Sequence, residues 1–233
     1  MSEPNAAAPA PLSSRRAPPV SNAELEARYL AELAAAGNNP RPALWKLIGF
    51  YTCTRQPGRA LRWLQELLPI AGCAEGEAWC LLKMGCNHEQ LGDFTAAIGF
   101  YRHGLRREPA DSFTWYFLHN NLGFCLNTVG RFEEGEELCR QAIRIDPRIA
   151  NAYKNLGLAL KGQRRWREAA RAFITGTQTN PVDDRSSALL DHLLAEHPEL
   201  RDEFGAESLQ CRQAVQAAHE ALAAAERTRL RPP

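Results

Sequence analysis

β-Branched aliphatic side chains are scarce in this chain: of 233 residues only four are valine and seven isoleucine, against 36 alanines and 29 leucines. Valine and isoleucine favour pleated sheets, whereas alanine and leucine favour helices, so the composition argues against a sheet-based fold and for an all-α one. An excess of one charge is also missing, since 28 Lys and Arg face 27 Asp and Glu. Gripping a nucleic-acid backbone calls for a basic excess, so no nucleic acid is expected as a partner. No apolar run is long enough to span a bilayer, and no membrane partner is expected. The seven cysteines are odd in number and contain no C-x-x-C pair. They predict buried, reduced thiols in a cytoplasmic protein. Cys73, Cys80 and Cys86, with His88 nearby, are spaced too widely for a metal site. No metal and no cofactor is expected.

Residues 1–20 hold five prolines and the pair Arg15-Arg16 without an apolar run, a composition that predicts a disordered tail rather than a signal peptide. Ser21 and Glu24 form a capping box for a helix within residues 21–37.

What the chain has in plenty is self-similarity. MGCNHEQLGDFTAAIGFYRHGLRREP from Met84, LGFCLNTVGRFEEGEELCRQAIRIDP from Leu122 and LGLALKGQRRWREAARAFITGTQTNP from Leu156 align without a gap. Gly85, Gly123 and Gly157 stand 38 and 34 residues apart, and so do Pro109, Pro147 and Pro181. In each copy two stretches with apolar residues three and four apart flank a turn at Gly92-Asp93, Gly130-Arg131 or Gln163-Arg164. Small residues fall on both stretches where helices must cross closely, with Ala97, Gly135 and Ala169 on the second. Each copy therefore reads as an antiparallel helix pair, and the pairs stack side by side.

This pattern resembles the tetratricopeptide repeat, a unit of about 34 residues with a Leu-Gly step, a following Ala and a closing Pro. The steps here are Met84-Gly85, Leu122-Gly123 and Leu156-Gly157, while the family's leading Trp is replaced by Leu81, His119 and Tyr153. A divergent copy precedes them, with Trp45, Ile48-Gly49 and Ala60, and Pro57 starting its second helix. The resemblance implies a right-handed solenoid of about four repeats over 41–182 (41–70 divergent, then 78–111, 116–149 and 150–183). After Pro181 the period is lost. Residues 184–233 read as capping helices: one opened by Asp183 and Asp184 with Leu189, Leu190, Leu193 and Leu194, a short one at Pro198, and a long Ala-rich one after Gly205. The last carries the stripe Cys211, Val215, Ala218, Leu222 and Ala225, which either folds back on the solenoid or pairs with a second copy.

In this family the first helices line a concave groove, and the resemblance carries that role to particular residues here. Trp79, Lys83, Phe117, Asn120, Asn121, Phe124, Asn127, Asn151, Lys154, Asn155 and Lys161 take ligand-facing positions. Lys83, Asn121 and Asn155 share one column, and a side-chain amide can both donate to and accept from a peptide bond; ordinary polar surface is the other reading of that column. The four residues added before the third copy extend its first helix by a turn. That turn brings Phe113 onto the face of Phe117 and Phe124, as an apolar groove floor or packed with Trp115 against the preceding copy. Residues 148–180 carry seven Lys and Arg against Glu168 alone, and Lys154 and Lys161 among them should face the groove, preferring an acidic or carboxylate-terminated peptide. Of the five clamp positions of chaperone-binding members only Asn121 fits, which argues against a heat-shock-protein tail. No nucleophile motif or phosphate loop occurs, and His88 and His119 fall in packing columns. The expectation is a non-enzymatic adaptor for a protein or peptide; the alternative is a structural or homo-oligomerising scaffold subunit that uses its convex face or last helix.

Overall fold

The computed structural model describes residues 21–229, and every regular element among them is helical. The tail expected over residues 1–20 lies outside the described residues. The helix α1 (Asn22–Ala34) opens with the expected capping box, Ser21 Oγ accepting from the Glu24 N–H and the Glu24 carboxylate accepting from the Ser21 N–H. Four antiparallel pairs follow: α2 (Arg41–Cys53) with α3 (Pro57–Leu67), α4 (Ala74–Gln90) with α5 (Phe94–Leu105), α6 (Ser112–Thr128) with α7 (Phe132–Ile145), and α8 (Ala150–Gly162) with α9 (Trp166–Thr179). Then come α10 (Arg185–Glu196), a single 3-10 turn at Pro198–Leu200, and α11 (Arg201–Arg229). The chain is a helical solenoid.

Local chemistry sets the breaks. Asp93 and Asp111 cap α5 and α6 by accepting from the N–H groups of Ala96 and Thr114, and Cys73 Sγ does the same for α4 through Gly76 N–H. Each pair reverses through one residue in the left-handed region: Gly92 (φ 76°) and Gly130 (φ 81°) in the second and third units, Arg55 (φ 53°) and Arg164 (φ 61°) in the first and fourth. Inside each unit the early glycine lets the helices touch. A Cβ on Gly85 or Gly157 would fall within the ring of Tyr101 or Phe173, and one on Gly123 would sit 2.9 Å from Cys139 Sγ.

The expected loss of the repeat after Pro181 holds for the sequence signature and not for the backbone. α10 and α11 begin 35 residues after α8 and α9 and occupy the place of a fifth pair. Leu190, Leu193, Leu194, Phe204 and Cys211 cover Ala170, Phe173 and Ile174, which closes the end of the stack. Asp191 stands where the earlier units have their glycine and accepts from Ser208 Oγ and Arg212, both at 2.6 Å. A polar contact thus replaces the close glycine crossing. α11 also starts earlier than expected and runs straight through Gly205, and the α10 N-terminus is served by Asp183, not by the Asp184 side chain. The Ala-rich stripe divides: Cys211 is buried and Val215 half-buried, while every residue from His219 to Arg229 is exposed. Two cysteines also depart from expectation, Cys53 and Cys73 being exposed.

Candidate peptide-binding groove

α4, α6 and α8 lie side by side and present one row of side chains from the first halves of the helices. Trp79 stacks on Trp45 of α2 with ring centroids 3.8 Å apart, and Lys83 Nζ lies 5.2 Å from the centroid of the Trp79 ring. Trp45, 37% exposed, was not among the expected groove residues, because the family pattern gives a leading tryptophan a packing role. On α6, Phe113 is 56% exposed and leans on Phe117 at 4.6 Å. Phe124 is half-buried against Phe94 of α5, at 6.2 Å. Phe113 thus leans on its own helix, and Trp115, half-buried, meets His119, 4.7 Å away. α6 has the expected extra turn relative to α8, at 17 residues against 13, and α4 has it as well.

The asparagines correct the expected amide column. Asn155 is only 3% exposed, and its Nδ2 donates to Asn120 Oδ1 at 3.0 Å. Asn120, equally buried, donates to Asn121 Oδ1 at 2.9 Å, and Asn121 Nδ2 donates to Cys86 Sγ at 3.4 Å. Asn127 is buried too and donates to the backbone carbonyl of Asn155 at 2.9 Å. Asn120, Asn127 and Asn155 therefore do not present amides to a groove; α8 packs so closely on α6 that their Nδ2 groups turn sideways to partners within the protein, while Asn127 Oδ1 and Asn155 Oδ1 are buried without a partner among the described residues. Asn121, half-buried, is the most exposed of these four asparagines.

The chain of hydrogen bonds continues into the second unit. Tyr101 Oη donates to Cys86 Sγ and to Glu89 Oε1, and Cys125 Sγ donates to the same Glu89 oxygen at 3.4 Å. Burial pushes the Glu89 carboxyl above its usual range and raises the Cys86 thiol as well. Glu89 occupies a ligand-facing position by repeat register, and no feature of its sequence neighbourhood signals this burial.

The two expected basic residues differ. Lys161 Nζ pairs with Glu196 of α10 at 2.6 Å. Lys154 is half-buried and has no carboxylate within 4 Å among the described residues; burial and the Arg185 charge hold its pKa below the ordinary lysine value. Asn151 Oδ1 accepts from Arg185 Nη2 at 3.4 Å. Most convex charges are paired instead, as in Arg165 with Glu136 and Glu168, or Arg167 and Arg171 with Glu203. Among the described residues no group of three His, Cys, Asp or Glu side chains is placed to hold a metal, and no helix is long and apolar enough to cross a membrane.

Comparison with known proteins agrees with this architecture. The family model for the tetratricopeptide repeat matches residues 118–149. Over 92 residues, 40% of the chain, the sequence is 29% identical to the small glutamine-rich tetratricopeptide repeat-containing protein 2 of Mycosarcoma maydis; the match spans a quarter of that relative's length. Among solved structures, the MamA fragment of Desulfovibrio magneticus RS-1 superposes with a TM-score of 0.60 at 17% identity, over 78% of this chain and 96% of that one. The Hsp90 co-chaperone Cns1 of Saccharomyces cerevisiae superposes with a TM-score of 0.53 at 22% identity, over 65% of this chain and 48% of that one. Residues 118–149 thus match the tetratricopeptide repeat, and the chain shares the helical-repeat fold of these solved structures.

Proposed function

We propose that the protein is an interaction adaptor that holds a segment of a partner protein along the first helices of its units. The carrying observation is the row of aromatic rings Trp45, Trp79, Phe113 and Phe117, accessible to differing degrees and flanked by Lys83 and Lys154. Large aromatics left in water mark interaction surfaces, and neighbouring lysines favour a segment that mixes apolar and acidic side chains. The match to the tetratricopeptide repeat supports the adaptor role, and the free thiols support a cytoplasmic setting. A scaffold role is the second reading, favoured by Leu209 and Leu222 standing about half exposed on α11; a light-scattering mass of twice the chain or more would support it.

The test uses a random dodecapeptide display library panned on the full chain. Phe113→Ala and Phe117→Ala should each weaken the selected binders by roughly 1 to 3 kcal/mol, while Arg171→Glu on the convex side leaves them intact. An absence of binders, or binders sensitive only to Arg171→Glu, overturns the groove reading.

A further inference from the structure

The row of groove residues does not end at α8. Trp79, Phe117, Asn151 and Arg185 follow one another at intervals of 38, 34 and 34 residues, and the contact of Arg185 Nη2 with Asn151 Oδ1 shows that the last step joins neighbouring helices. α10 closes the apolar end of the stack and also contributes Arg185 to the row. The character of the row changes along it, from two aromatic rings to an amide and a guanidinium.

Lys154 lies one turn beyond Asn151 on α8, so two cations meet where α8 faces the start of α10. Asp183 and Asp184 are the nearby carboxylates: Arg185 holds both oxygens of Asp183, through Nε at 2.7 Å and through Nη2, whereas Asp184 acts on it by charge from beyond 4 Å. Lys154 Nζ, Asn151 Nδ2 and Arg185 Nη1 have no acceptor among the described residues. Of the two cations only Arg185 is paired with a carboxylate within 4 Å, and three donor nitrogens are unused. A further carboxylate would relieve the repulsion between the cations and pair with those donors.

We propose that Asn151, Lys154 and Arg185 form a seat for an aspartate or glutamate side chain of the bound partner segment, and so fix the direction in which that segment runs across the aromatic row. This rests on the groove reading. A side chain is chosen over a chain end because the row continues onto α10, so a segment crossing Asn151 has further surface ahead of it.

The seat is tested without a partner. The chain has four lysines, Lys46, Lys83, Lys154 and Lys161, so reductive methylation with carbon-13 gives few, assignable signals. Acetate titrated against chloride at matched ionic strength should shift the Lys154 signal and raise its titration midpoint, and Arg185→Met, at an exposed position, should abolish that response. No acetate effect, or an equal effect at Lys46 and Lys83, overturns the seat while the groove reading stands. In the display selection, binders to the wild-type chain should share an acidic residue at one position, and that enrichment should fall at least several-fold on Arg185→Met. Binders with no such residue overturn the seat alone, and a tenfold preference of a selected peptide for a free C-terminal carboxylate over its amide overturns the side-chain assignment.

Discussion

At the scale of single residues, the closest approach inside a unit depends on a missing side chain. Gly85 and Gly157 lie directly against the rings of Tyr101 and Phe173, so Gly85→Ala or Gly157→Ala should destabilise by about 1 to 3 kcal/mol through overpacking. Gly99 sits in the interior of α5 with open space around it; Gly99→Ala should stabilise by about 0.5 to 1 kcal/mol, and urea unfolding of the three variants separates the two cases. Glu89 makes a different prediction. Because burial raises its folded-state pKa above the ordinary 4.5, the native chain binds this proton more tightly than the unfolded chain. The stability that Glu89 contributes is complete below that value and is lost as pH climbs through the raised one. Glu89→Gln should flatten this loss, seen as unfolding midpoints that change less as pH rises above 4.5. The glycines were legible in sequence because a repeated small residue has one packing explanation. The direction of an asparagine amide was not: adjacent positions on a helix lie about 100° apart, so the neighbouring helix decides whether Asn120 or Asn121 reaches the surface.

Among the elements, the turns and the terminal pair carry the predictions. Arg164 holds a left-handed conformation that glycine fills in the second and third units, at a cost of roughly 1 kcal/mol for a residue with a Cβ. Arg164→Gly should raise the thermal midpoint, as a melting curve would show. Truncation after residue 219 removes only exposed positions of α11 and should leave the chain monodisperse. Truncation after residue 183 uncovers Ala170, Phe173 and Ile174 and should produce aggregation in a light-scattering assay. The four helix pairs could be read from the spacing of glycine, aromatic and proline. The continuation into α10 and α11 could not, because Asp191 and Ser208 meet through a hydrogen bond at the place where the pattern looks for a small residue against a large one.

In the whole molecule, protection should be highest at the centre of the stack. α1 contains no buried residue, whereas α6 buries ten, among them Tyr116, Leu118 and Leu122. Native-state hydrogen exchange should therefore be fastest in α1 and in α11 beyond residue 219, and slowest in α6; uniform exchange along the chain would contradict nearest-neighbour stacking. The candidate groove was partly legible: the aromatic row could be found from register, while Trp45 and Arg185 were hidden because one matched a packing position and the other lay beyond the last recognisable repeat.

The hydrogen-bonded chain from Asn155 through Asn120, Asn121 and Cys86 to Tyr101 and Glu89 crosses three units. Repeat proteins are commonly treated as interchangeable cassettes. Here one helix pair is too small to be a cassette, because a graft of α6 and α7 alone would carry away Asn120 and Asn121 and strand the amide of Asn155 on one side and the thiol of Cys86 on the other. The smallest portable block of this solenoid is α4 through α9.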